Sequence, residues 1–173
     1  VDVMVKGRIK QVRFTVPEGY SVAKTAKKLE AEGLGSADKF MAAAKDYAPY
    51  PYMQTDDSNV LFKAEGFIYP ATYDFPVGIS EQEMLKMMVA QFDKEMQSSG
   101  IAKTVAERNL PLRDVVNMAS MVELEAVFAE EQPKIAGVFL KRVAYSVGYD
   151  HPVSFGNAEG SSYLCGYQNS ESV

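Results

Sequence analysis

The sequence predicts an α+β fold: a small strand-and-helix subdomain at the N-terminus, then a mostly helical domain with short strands near the C-terminus. Three observations predict it. The segment QVRFTVPEGY alternates Val12, Phe14 and Val16 with Arg13 and Thr15, the period of a half-buried strand, and stops at Pro17 and Gly19. Beyond Ser21 the apolar residues recur mainly at helical spacing, as far as about Val143. From Tyr145 onward the composition turns to Gly, Ser, Tyr and Asn with little periodicity, which reads as loops, hairpin or disorder.

Taken in order, Ser21 suits an N-cap, Val22, Ala26 and Leu29 share a helix face, and Gly33 is placed to end that helix. Ser36 is placed to cap a second short helix through Phe40 and Ala44. This strand, helix, helix unit is assigned to residues 1–48. At about 45 residues it is too small to be very stable alone and is expected to lean on the rest of the chain. The stretch YAPYPYMQTDDSNVLFKA is rich in Pro, Tyr and small polar residues and reads as an irregular connection, where the boundary to a second domain, 49–173, is drawn. Next, EGFIYPATYDFPVGIS is aromatic and punctuated by Gly66, Pro70, Pro76 and Gly78. Two readings stand for it: Tyr and Phe packing a loop onto the core, or a platform for a sugar or peptide.

Ser80 with Glu83 forms a capping-box pattern, and Met84, Leu85, Met88, Val89 and Phe92 give the buried stripe of a helix to about Met96, with the methionines as core filler. A short helical piece surrounds Val105. Leu110 and Pro111 open another helix, and a last one follows Pro133 through Ile135, Val138 and Phe139.

Composition narrows the function classes. A net charge of -5 argues against a nucleic-acid surface, and KGRIKQVR, the nearest basic stretch, also reads as a strand with a solvated side. Cys165 has no partner for an internal disulfide, and one histidine, His151, cannot supply a Cys/His zinc cluster. No run of 18 apolar residues crosses a membrane, and a start at Val1 rather than Met suggests a fragment with a leader or anchor upstream. A serine hydrolase using His151 is poorly supported, because no nucleophile-elbow motif accompanies it.

The most informative stretch is NMASMVELEA, which places Glu123 and Glu125 within an otherwise apolar helix. On a helical wheel Leu112, Val115, Val116, Ala119, Val122 and Ala126 form one stripe; Glu123 falls near its centre, and Glu125 at its edge beside Met118 and Met121. Burying a carboxylate costs several kcal/mol unless it is bonded, paired or protonated. Glu123 is therefore expected to be a buried acid, either stitching helices together through backbone or an arginine such as Arg142, or serving the site. An edge position beside apolar side chains disfavours the charged form, which suits Glu125 to general acid work of the glycosidase kind.

VPEGYSVAKTAKKLEAEGL, EGFIYPATYDFPVGIS and MASMVELEAVFAEEQPKIAGVFLKRV together resemble, in order and spacing, the YceG-like endolytic murein transglycosylases, the MltG family, over roughly residues 11–143. The resemblance implies a LysM-like subdomain followed by a catalytic domain that cuts peptidoglycan within the strand. It implies that Glu125, the second acid of a motif close to A-S-I-[IV]-E-K-E, is catalytic, with Glu123, Glu65, Tyr69, Tyr73, Glu131 and Asp150 binding substrate or supporting it. No metal and no cofactor is implied. Glu125 would protonate the β-1,4 oxygen between N-acetylmuramic acid and N-acetylglucosamine, then act as base for the muramic C6 hydroxyl, leaving a 1,6-anhydro end. The implied partners are glycan strands and the synthases that polymerise them. The implied location is outside the cytoplasm, at the cell membrane through an anchor this chain lacks.

Leu124 stands where the family usually has Lys, Gln132 where it has Arg, Lys141 where Asn is common, and Ala71 in place of an Asp. After about residue 145, VGYDHPVSFG keeps Asp150, Val153 and Gly156 of a family strand, and SSYLCGYQNSESV keeps Tyr163 and Tyr167. A shortened tail and a divergent, incomplete cleft both fit this ending. The rival to an enzyme is therefore a catalytically impaired peptidoglycan-binding or scaffold module of the same fold.

Overall fold

The structure is a computed structural model that describes residues 10–146. Strand β1 (Gln11–Thr15) pairs antiparallel with β2 (Thr72–Pro76), Gln11 lying opposite Pro76 and Thr15 opposite Thr72. The ladder is extended by Val77 N–H to the Lys10 carbonyl and Val16 N–H to the Ala71 carbonyl, both at 2.9 Å. The period-two pattern puts Phe14, Tyr73 and Phe75 on the buried face, while Arg13 pairs with Asp74 in solvent at 3.0 Å. β2 lies within the aromatic segment that the sequence presents as a loop. Its Tyr73 and Phe75 rings stack against each other 5.7 Å apart inside the core, as the packed-loop reading required and the platform reading did not.

Helices α1 (Val22–Ala31) and α2 (Ala37–Asp46) follow β1 and pack on each other; α3 (Glu81–Ser98) follows β2 and packs on α2. Their caps come partly from afar. Ser21 Oγ accepts from Lys24 N–H at 3.2 Å, as an N-cap serine does, and Ser80 Oγ accepts from Glu83 N–H at 3.3 Å. Ser36, expected to cap α2, makes no such bond. Glu81 Oε1 instead accepts from Ser36 N–H at 2.8 Å, and Glu30 Oε1 from Ala37 N–H at 3.2 Å. Carboxylates are the stronger acceptors at a helix N-terminus, where the dipole favours negative charge.

Phe14, Leu29, Phe40, Met53, Phe67, Phe75, Met84, Leu85 and Met88 are fully buried in one continuous cluster. It contains residues from both sides of position 48, and β1 finds its ladder partner beyond that position. Helix α4 (Ile101–Glu107) starts after Gly100, whose φ of 74° turns the chain. Helix α5 (Leu112–Glu125) starts at Pro111, then α6 (Gln132–Ser146) packs back on α5 after a 3-10 turn at Ala129–Glu131. The molecule is α+β: six helices with a two-stranded antiparallel sheet among the described residues. The tail strands expected near the C-terminus lie outside the described residues.

Candidate active site

Helix α5 is anchored at its first turns. Arg113 donates through its guanidinium to the Met53 carbonyl and, at 3.0 Å, to the Lys63 carbonyl, and it lies over the Phe67 ring at 4.9 Å. Burial lowers its basicity while the adjacent Asp114 raises it; burial likewise pushes the Asp114 carboxyl up, against the pull of Arg113. Further along, Gly66 approaches the helix so closely that an added Cβ would meet Val116 Cγ1 at 2.8 Å. Arg113 and Asp114 belong to no motif in the sequence. Their signal is two charged residues directly after the first buried leucine of a stripe.

The far end of α5 is different. Leu112 and Val122 are buried and Val115 and Val116 pack on the core, but Ala119, Glu123, Leu124 and Glu125 are exposed. The wheel placed Glu123 at the centre of the stripe and so in the interior; in the structure it is exposed. The stripe is real, but the surface that covers it, the 53–68 loop with Met53, Lys63 and Gly66, reaches only the first turns. Glu123 and Glu125 have no hydrogen-bond or ion-pair partner among the described residues. Both lie in the last turn of α5, in which no basic residue stands. Around them Leu124, Val127 and Phe128 expose apolar side chains, Val127 to 81%.

The other expected site residues divide. Glu131 closes the turn after α5, its Oε2 accepting from Phe128 N–H at 3.4 Å, which fixes the chain just beyond Glu125. Glu65 caps α1: its two carboxylate oxygens accept from Val22 N–H at 3.1 and 3.2 Å. Burial pushes its carboxyl up, with the Val22 and Gly66 N–H groups pulling it back. Tyr73 is buried and donates to the Tyr69 carbonyl at 2.5 Å, which ties β2 to the preceding loop. Glu131 thus lies in the turn that follows α5, six residues beyond Glu125. The Glu65 carboxylate sits at the start of α1, and its neighbour Gly66 meets α5 at Val116, about 14 Å of helix rise before Glu125. Asp150 lies outside the described residues. Among the described residues no group of three His, Cys, Asp or Glu side chains is placed to hold a metal ion, and no helix is long and apolar enough to cross a membrane.

The sequence model of the YceG-like family matches residues 1–168. This chain belongs to the YceG-like family. Among its YceG-like relatives, the endolytic murein transglycosylase of Streptococcus pneumoniae serotype 2 (strain D39 / NCTC 7466) is 30% identical over 146 residues, covering 75% of this chain and 26% of that protein. The protein of the same name from Bacillus subtilis (strain 168) is 25% identical over 142 residues, covering 76% of this chain and 39% of its own length. The YceG-like chain therefore spans about a quarter to two-fifths of the curated relatives it matches. A crystal structure of a yceG-like protein from Listeria monocytogenes superposes with a TM-score of 0.66 over 83% of this chain and 51% of that one, at 21% identity, which bears on the fold alone.

Proposed function

We propose that this chain is the part of a murein lytic transglycosylase that carries its acid/base, Glu125. The observation that carries the reading is the setting of that residue. A solvent-exposed carboxyl with no partner among the described residues stands at the end of α5, beside apolar side chains suited to the apolar faces of sugar rings. Membership of the YceG-like family and the relatives named endolytic murein transglycosylase support the substrate class.

The chemistry needs one group in two states. The protonated Glu125 carboxyl gives its proton to the glycosidic oxygen as the C1–O bond of N-acetylmuramic acid breaks, so N-acetylglucosamine leaves with a free 4-hydroxyl. The muramic C6 hydroxyl bonds to C1 and its proton returns to the Glu125 carboxylate. No water is consumed, the enzyme is restored and the strand ends in a 1,6-anhydro ring. Delivering the hydroxyl from within the same sugar gives it a high effective concentration. Glu131 positions the turn next to the acid, and Glu123 is available to substrate at the rim. In the same reading the strand, helix, helix unit of residues 1–48 is the LysM-like subdomain, and action takes place outside the cytoplasm, beside the synthases that make glycan.

The test is incubation of purified peptidoglycan with the protein and with Glu125→Gln, reading products by mass spectrometry. Anhydro-muramic ends from the wild type alone are expected. Their absence from both would overturn catalysis in favour of a peptidoglycan-binding or scaffold role.

A further inference from the structure

The first six residues after α2, 47–52, carry three tyrosines, Tyr47, Tyr50 and Tyr52, that no step of the proposed reaction uses. The Tyr50 and Tyr52 rings are parallel within 7°, with centroids 5.3 Å apart. Tyr52 is locked: its hydroxyl donates to Asp93 Oδ1 at 2.8 Å, and its ring meets Phe67 and Phe92. Tyr50 and Tyr47 are half-buried, Pro49 and Pro51 stiffen the chain between them, and the Gln54 amide bonds back to the Ala48 carbonyl. The result is an aromatic surface held rigid before any ligand arrives.

Its border is polar and mixed in sign. Glu83, Lys86, Ala90 and Asp93 recur at steps of three and four and so share one face of α3. Asp93 holds Tyr52 at one end of that face, and Glu83 acts electrostatically on Tyr47 towards the other. Lys86 and Ala90 are exposed between them, so the face offers acceptors, a donor and a small residue that leaves room. The Tyr47 and Tyr50 hydroxyls, protonated at neutral pH as phenols are and pushed further up foremost by burial, add two donors.

We propose that Tyr50, with Tyr47 and the Glu83–Asp93 face of α3, is an accessory site that stacks a pyranose ring of the glycan strand. The identity of the ligand rests on the proposed glycan-cleaving function. An aromatic face bordered by both donors and acceptors matches a sugar ring, whose C–H face is apolar and whose edge is hydroxyl. A purely anionic border would have favoured a cation, but Lys86 stands within it. The position also fits a strand held at a distance from the cut. Met53, next to Tyr52, is bonded to Arg113 at the start of α5, and Arg113 precedes Glu125 by twelve residues, about 18 Å of helix. A strand engaged at both places would be gripped several sugars away from its scissile bond, which favours cutting within a strand over trimming an end.

The experiment is titration of the isotopically labelled 173-residue Glu125→Gln chain with N-acetylglucosamine hexamer, followed by amide NMR, alone and with Tyr50→Ala or Tyr50→Phe added. Shifts are expected at residues 47–52 and 83–93. Tyr50→Ala should bind roughly two- to tenfold more weakly, and Tyr50→Phe, which keeps the ring face, should bind within about twofold of the parent. Unchanged affinity in Tyr50→Ala, or shifts that avoid both segments, would overturn the site. So would a lysine-containing peptide that moves those resonances when the hexamer does not. Because turnover is not read, a protein that yields no anhydro ends can still show this site. A protein that cleaves murein without these shifts loses only this site.

Discussion

Glu65 and Glu81 do the same work with opposite pH signs. Both accept backbone N–H groups at a helix start, but burial dominates at Glu65, whereas the Ser36 N–H dominates at Glu81. The Glu65 carboxyl is pushed above its ordinary 4.5, so the stability it contributes is present at low pH and is lost as pH rises through its folded value. The Glu81 carboxyl is pulled below 4.5, so its contribution is present above that value and is lost on acidification. Glu65→Gln keeps an oxygen acceptor for Val22 without a charge, and is expected to be at least as stable as the wild type at pH 7.5. Glu65→Ala leaves that N–H without its partner and should cost about 1 kcal/mol. Urea unfolding at pH 5 and 7.5 checks both, and a Glu65→Gln protein clearly weaker than wild type at pH 7.5 would contradict the sign. Arg113→Met removes two bonds to loop carbonyls and a cation over Phe67, and should cost on the order of 2–3 kcal/mol by the same measurement.

At the level of elements, the contact between the 62–68 loop and α5 turns on Gly66. Its φ of 81° is one that L side chains rarely adopt, and its Cα faces Val116 without room for a methyl group. Gly66→Ala should cost about 1–3 kcal/mol. Val116→Ala in the same chain should recover the steric part and leave the backbone part, so the double mutant should lie closer to Val116→Ala alone than additivity predicts. Strand β1 and helices α1 and α3 are legible in the sequence because each carries its own period and start signal, Ser21 and Ser80 above all. β2 is hidden by Pro70 and Pro76, which read as loop punctuation, although Pro76 sits at the strand's end where a missing donor is tolerated. The Ser36 cap is misread because Glu81, 45 residues away, takes its place. Glu123 is misplaced because a wheel gives the direction of a side chain and not how far its neighbour extends. The motif singles out Glu125 as a candidate, while nothing singles out Arg113, since its partners are carbonyls that no sequence pattern marks.

Across the whole molecule burial is uneven. The core cluster runs from Phe14 to Leu112, and beyond Leu112 Val122 is the one buried residue among those described. Hydrogen exchange should therefore be slowest in β1, β2 and α3, and α6 should exchange through local opening well below the global unfolding energy. Equal protection of α3 and α6 amides would show that the α5–α6 hairpin is as firmly held as the core. The apolar surface it presents, with Phe128 62% exposed, lies beside Glu125. The pairing of β1 with β2 also constrains the order of events when the chain first acquires its structure. Thr15 and Thr72 meet across 57 residues, and α1 receives its Glu65 cap from 43 residues away. A chain delivered N-terminus first, from a ribosome or through a translocation pore, must hold β1 without its ladder partner until Pro76 has emerged. Closing so long a loop is a slow, entropically opposed step, and until then Phe14, Leu29 and Phe40 remain open to a holdase chaperone.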